Sequence, residues 1–135
     1  MAVINLVTAN TVRVVESWQQ VTGVVDETVD AGAPARLATA DGRITNSNGS
    51  SAAEGRTLGL AARRATSGAL TIIKKGIMDG WDLDALAYDA PVYVSNTDGR
   101  LDTVAGTVSV IVGRVIGVKA GVQGSALQKM LLIDL

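Results

Sequence analysis

The chain repeats itself, and that repetition limits its possible folds more than any other feature. Ala33-Pro34-Ala35-Arg36-Leu37-Ala38-Thr39-Ala40-Asp41-Gly42-Arg43-Ile44 returns as Ala90-Pro91-Val92-Tyr93-Val94-Ser95-Asn96-Thr97-Asp98-Gly99-Arg100-Leu101. Each copy is followed by Gly-Arg-x-x-Gly, at Gly55-Arg56-Thr57-Leu58-Gly59 and at Gly113-Arg114-Val115-Ile116-Gly117. Both prolines of the chain hold the same repeat position. Pro suits the start of a strand, where no ladder N–H is needed, and Asp-Gly suits the tight turn that brings the strand back. Two units are too few for a solenoid, so they are expected to pack as one pseudo-symmetric barrel with a shared core. That core is expected to draw on Leu37, Leu58, Leu60, Leu70, Ile72, Val92, Val94, Ile116, Val118, Leu131 and Ile133.

Short β-branched runs recur at Val12–Val15, Val21–Val25, Leu70–Ile73, Val92–Val94 and Val108–Val112. They read as strands. Turn formers separate them: Asn10, Ala40-Asp41-Gly42, Ser47-Asn48-Gly49, Ser67-Gly68 and Thr97-Asp98-Gly99. The expected class is all-β, a small β-barrel or β-clip-like body of residues 27–135, built from pseudo-repeats 28–76 and 84–135. A chain of 135 residues makes one domain and removes roughly two-thirds of its surface from water on folding. With 47% apolar residues and only 3% aromatic, small aliphatic side chains must fill the interior.

Residues 1–26 have no counterpart in the repeat and are expected to form an extended N-terminal arm. A segment with strand propensity and no partner in its own unit suits the sheet edge of another chain. The other reading is an ordinary first strand of the body.

Composition removes many chemistries. With no His and no Cys, there is no neutral-pH base of the usual kind, no thiolate, no disulfide and no common zinc ligand set. A formal charge of −1 and a pI near 5.3 give no concentrated positive field for nucleic acid or anionic lipid. No apolar run reaches the roughly 20 residues of a membrane span, and Met1-Ala2-Val3-Ile4-Asn5 lacks the basic start of a secretory leader.

Three clusters remain to be weighed. Asp79, Asp82 and Asp84 could offer oxygens to a hard cation, but the spacing departs from a helical calcium loop and a solvated acidic turn is expected. Arg63-Arg64 and Lys74-Lys75 lack a Gly-rich phosphate cradle and read as exposed strand-end charges. Trp18 and Trp81 are each a core plug or a partner anchor. Trp81, lying among carboxylates in a connection, is the better interface candidate. No catalytic, cofactor-binding or metal-binding residue is expected.

From Ala90 to Leu101, then Val112-Gly113-Arg114-Val115-Ile116-Gly117 and the closing Leu132-Ile133-Asp134-Leu135, the sequence resembles the capsid cement proteins of tailed phages. The stretch from about Thr28 to Gly76, with Gly59-Leu60-Ala61, looks like the partner unit of the same pattern. The resemblance implies a virion protein, often trimeric, that binds the major capsid protein on the outer surface of an icosahedral head and braces neighbouring capsomers. It implies synthesis in the host cytoplasm, and neither nucleic acid nor membrane as partner. In that family an N-terminal arm often extends a capsid sheet, which makes Val3, Ile4, Asn5, Leu6 and Val7 candidate capsid contacts, with Trp18 and Trp81 as candidate interface rings. The alternatives are a β-clip or barrel-type ligand-binding module and a trimeric nucleotide hydrolase.

Overall fold

The β-branched runs and glycine turns resolve into ten strands and, among the described residues, no helix. The computed structural model describes residues 2–119 and 127–135. The strands are β1 (Val3–Ile4), β2 (Arg13–Val24), β3 (Pro34–Leu37), β4 (Ile44–Asn46), β5 (Gly59–Ala61), β6 (Ala69–Asp79), β7 (Pro91–Val94), β8 (Leu101–Asp102), β9 (Ile111–Val118) and β10 (Gln128–Asp134). All strand pairs are antiparallel, and the sheet curls strongly into a half-barrel, a small all-β body as expected.

The duplication is visible in the pairing register. In the first hairpin Leu37 faces Ile44 and Arg36 faces Thr45. In the second, the corresponding Val94 faces Leu101 and Tyr93 faces Asp102. The same turn bond closes both, from the Ala38 amide to the Arg43 carbonyl (2.7 Å) and from the Ser95 amide to the Arg100 carbonyl (2.9 Å). Gly42 and Gly99 supply the same left-handed backbone there, at φ 73° and 68°. A side chain at that φ is strained, so Asp-Gly is the residue pair the turn selects.

The second half of each unit corresponds differently from the sequence match. Ala35 of β3 faces Gly59, and its counterpart Val92 of β7 faces Gly113. Gly59 is therefore equivalent to Gly113 in the fold, whereas the two Gly-Arg-x-x-Gly motifs would align it with Gly117. Close backbone approach explains the true equivalence. A Cβ on Gly59 would collide with the Ile73 carbonyl oxygen, and one on Gly113 with that of Leu132.

Two long strands join the units. β2 follows β6 along its length, from Val24 opposite Ala69 to Arg13 opposite Asp79. A strand has only two edges, so β5 and β10 must share the other. β5 takes Ile72 and Ile73, and β10 takes Lys75 to Met78. The sequence showed two strands where β2 is one. Its continuity depends on bulges: Val15 and Trp18 face no β6 residue, and Lys74 faces no β2 residue.

The interior is divided, which corrects the expectation of one shared core. One cluster holds Val25, Val29, Ala35, Ile44, Ala61, Leu70 and Ile72, and the other holds Ile4, Leu60, Ile73, Met78, Trp81, Val92, Val94, Leu101, Leu131 and Ile133. Ile72 and Ile73 are consecutive, as are Leu60 and Ala61. Successive side chains leave a strand on opposite faces, so the two cores lie on opposite sides of β5 and β6. Of the expected core residues, Leu60, Leu70, Ile72, Val92, Val94, Leu131 and Ile133 are buried, while Leu37 is 46% exposed and Leu58, Ile116 and Val118 are half-buried.

Candidate interaction surface

Residues 2–7 pack against the second unit and the turn that precedes it. Val3 and Ile4 pair with Asp102 and Leu101 of β8, Leu6 forms a bridge with Trp81, and the Val7 amide bonds the Gly80 carbonyl (2.8 Å). The buried Asp102 carboxylate anchors this start by accepting from the Ala2 amide (3.1 Å) and the Val104 amide (3.2 Å). Among the candidate contacts Val3 to Val7, Ile4 is buried, Val3 and Leu6 are half-buried, and Asn5 and Val7 face solvent. The segment takes the second sequence reading, a strand of the body.

The two tryptophans, both candidate interface rings, stand in different environments. Trp81, the expected interface ring, is buried in the larger core. Its ring fills the space that Gly32 leaves open, where a Cβ would lie 2.7 Å from Trp81 Cζ2. Polar neighbours in sequence did not keep the ring outside, because Gly80 turns the chain and the start of the molecule folds over it. Trp18 is 60% exposed, at one of the β2 bulges.

The acidic turn is occupied by local bonds. Asp79 accepts from Arg13 (3.4 Å), Gln128 (2.9 Å) and the Gly80 amide (2.9 Å). Asp82 accepts from the Asp84 amide (3.2 Å). Among the described residues no group of three acidic side chains is placed to hold a metal ion. Lys74 and Lys75 are half-buried in the middle of β6, not at a strand end. Lys75 bonds Asp134 (2.7 Å), and that bond, with the lysine's charge, holds the Asp134 carboxyl below its ordinary value. Arg64 pairs with Asp30 (3.2 Å), and Arg63 donates to the Ala69 carbonyl.

Two surface features remain. The first is a cleft of about 640 Å³ between the β3–β4 turn and β6, lined by Leu37, Leu58, Ala53, Thr39, Arg56 and Lys74. Neither Arg56 nor Lys74 forms an ion pair among the described residues. Sequence reasoning placed Leu37 and Leu58 in the core. The period-2 pattern marks a strand face, but does not say whether anything covers it.

The second feature is β2. Among the described strands it pairs with β6 alone, the chain that leaves its end bridges Ile44 of β4 at Val25, and all of its residues except Gly23 are exposed. Val14, Val15, Trp18, Val21 and Val24 are exposed apolar residues within twelve positions. Long open edges of this kind are templates for another strand, and proteins usually blunt them. The bulges at Val15 and Trp18 blunt the first half of β2. From Gln20 to Val24 the register is unbroken.

Comparisons with protein-family models, with curated proteins and with solved structures gave no match to this chain.

Proposed function

We propose that the chain is a structural virion protein that binds the outer surface of an icosahedral phage head as a trimer and stabilises contacts between capsomers. The observation that carries this reading is β2: a twelve-residue strand with both faces exposed and an outer edge open up to the bridge that Val25 makes with Ile44, on a body whose acidic and basic clusters are largely used in local bonds. A surface of this size and apolar character suits a protein partner. The sequence resemblance supplies the kind of partner, the major capsid protein.

The topology bears on how three subunits would assemble. Two copies paired through the same strand edge form an isologous dimer. A threefold assembly therefore does not pair β2 with itself, and in this reading β2 is left to the shell. Three subunits on three capsomers gain avidity, so no single contact has to be strong.

The test is co-sedimentation with expanded, empty heads of the cognate phage, together with light scattering on a size-exclusion column. Head binding by a trimer supports the reading, and a strict monomer that stays in the supernatant refutes it.

The Leu37–Lys74 cleft favours a second reading, a ligand-binding module. An apolar floor beside two cations suits an anionic ligand with an apolar part. Calorimetric titration with fatty carboxylates tests it: saturable heat that Arg56→Ala abolishes supports a module, and no heat removes this reading.

A further inference from the structure

The duplication pairs exposed positions with buried counterparts. A Cβ on Gly59 would strike the Ile73 carbonyl and one on Gly113 that of Leu132, so Ile73 is equivalent to Leu132, and Lys74 to Ile133. Leu37 corresponds to Val94 through the hairpin register, and Leu58, which precedes Gly59, to Val112. The inner face of the second unit, with Val94, Val112 and Ile133, is fully buried. In the first unit Leu37 is exposed, and Leu58 and Lys74 are half-buried. The outer face shows the reverse. Pro34, Leu60 and Ile73 of the first unit are buried, whereas their counterparts Pro91 and Arg114 are exposed and Leu132 is half-buried.

Inside the chain, one example of each face covers the other, since Leu60 and Ile73 share a cluster with Val94, Val112 and Ile133. One example of each is left unmatched. The open inner face is the Leu37–Leu58 cleft, which carries Arg56 and Lys74 and no carboxylate among its described lining residues. The open outer face is a hollow lined by Pro91, Ile111 and Leu132, with Asp89 and Asp134 beside Arg114. Ile111 is 50% exposed there. Both surfaces have an apolar floor, and their net charges are opposite.

We infer that these two surfaces bind each other between copies of this chain, the cleft of the first unit receiving the outer face of a neighbour's second unit in a head-to-tail contact. The repeat identifies the occupant. A unit that leaves a face uncovered is covered by the unit stacked next to it, and beyond the end of this pair the next unit belongs to a second copy. Opposite charge fixes the orientation of the contact. Such a contact is heterologous, so it closes into a ring or propagates as a chain. The inference stands on the fold and not on the decoration reading, and a ring that closes at three supplies the subunit contact of the proposed trimer.

The test is light scattering on a size-exclusion column over a range of concentrations, with the full chain and one variant at each end. Leu37→Glu sets a carboxylate against the neighbour's Asp89 and Asp134, and Ile111→Lys sets a cation against Arg56 and Lys74. Both positions are exposed, so folding is retained, which circular dichroism checks. Arg56→Glu and Pro91→Lys, also at exposed positions, replace a variant that does not fold. The parent should associate at micromolar concentration. Each variant alone should need at least about tenfold more protein to associate. Mixed in equal amounts, the two should associate again, because the unaltered outer face of one meets the unaltered cleft of the other.

A parent that stays monomeric up to about 1 mM overturns the contact. So does an assembly that neither variant weakens, which places the interface elsewhere and leaves the decoration reading standing. Two weakened variants that do not associate on mixing show a self-complementary contact, which also overturns it. A monomeric parent that binds a fatty carboxylate in the cleft assigns that surface to a ligand instead. Head binding is read in a separate assay, so loss of this contact and loss of the decoration reading are told apart.

Discussion

Removing Trp81 tests the burial of a ring whose sequence surroundings pointed to an interface. The ring is 6% exposed, and a buried tryptophan removes roughly 150–250 Å² from water. At about 25 cal/mol per Å², that area is worth about 4–6 kcal/mol, close to the range of about 3–5 kcal/mol for large aromatic-to-alanine changes in cores. Trp81→Ala should therefore cost about 4 kcal/mol, a large part of the roughly 5–15 kcal/mol that holds a domain of this kind together.

Gly32 refines the test. It has φ 73°, and a Cβ there would lie 2.7 Å from Trp81 Cζ2 and 3.0 Å from Val12 Cγ1. Gly32→Ala should cost about 1–2 kcal/mol for the left-handed backbone and about 1–3 kcal/mol more for the collision. In the Trp81→Ala background most of the collision disappears and the backbone cost remains. The double-mutant cycle should show a coupling of at least about 1 kcal/mol. Urea unfolding at low protein concentration, followed by circular dichroism, measures all four proteins. A Trp81→Ala loss below about 1 kcal/mol, or additivity within about 0.5 kcal/mol, would refute the placement of the ring against Gly32.

Other outcomes follow from the same geometry. Trp18→Ala should change stability by no more than about 0.5 kcal/mol, as for exposed positions generally, while head co-sedimentation falls. Equal binding would remove Trp18 from the contact. The equivalent turn glycines should differ on substitution. A Cβ on Gly42 meets open space, whereas one on Gly99 lies 2.7 Å from Asn46 Oδ1. Gly42→Ala should lose only the backbone term of about 1–2 kcal/mol, and Gly99→Ala should melt at a lower temperature than Gly42→Ala. Asp134 should titrate below its ordinary 3.8, because Lys75 stabilises the charged form. A lowered folded pKa gives stability that is complete above the unfolded value and is lost as pH falls through the folded one. The effect is thus confined to the acid limb, and Lys75→Met should move the carboxyl midpoint seen by NMR upward, towards the ordinary value.

The turns and the duplication were legible because they rest on local rules. Asp41-Gly42 and Asp98-Gly99 each specify a left-handed residue, and both hairpins keep one register. What was not legible depended on contacts distant in sequence. Gly59 matches Gly117 as a motif but Gly113 in the fold, because the equivalence is set by which strand lies across from Ala35 and Val92. Leu37 has the alternation of a core residue, yet it lines an open cleft because no described residue covers that face. Polar neighbours pointed Trp81 outward, whereas the folding back of residues 4–7 decides its burial. The sequence marked both ends of β2 as strand-forming. The bulges that carry Ser17-Trp18-Gln19 across the gap are visible only in its pairing with β6.

Ile72 and Ile73 stand back to back and close different compartments. A partition with a compartment on each side cannot be taken down for one tenant alone. Melting either compartment strips a lining from the other, so the molecule should lose its structure in a single transition despite its repeated pattern. Neither half should persist when expressed separately. Because both units lean on a common strand, a change at either isoleucine is felt next to both interiors, whereas substitutions on the exposed faces of β2 leave each interior undisturbed.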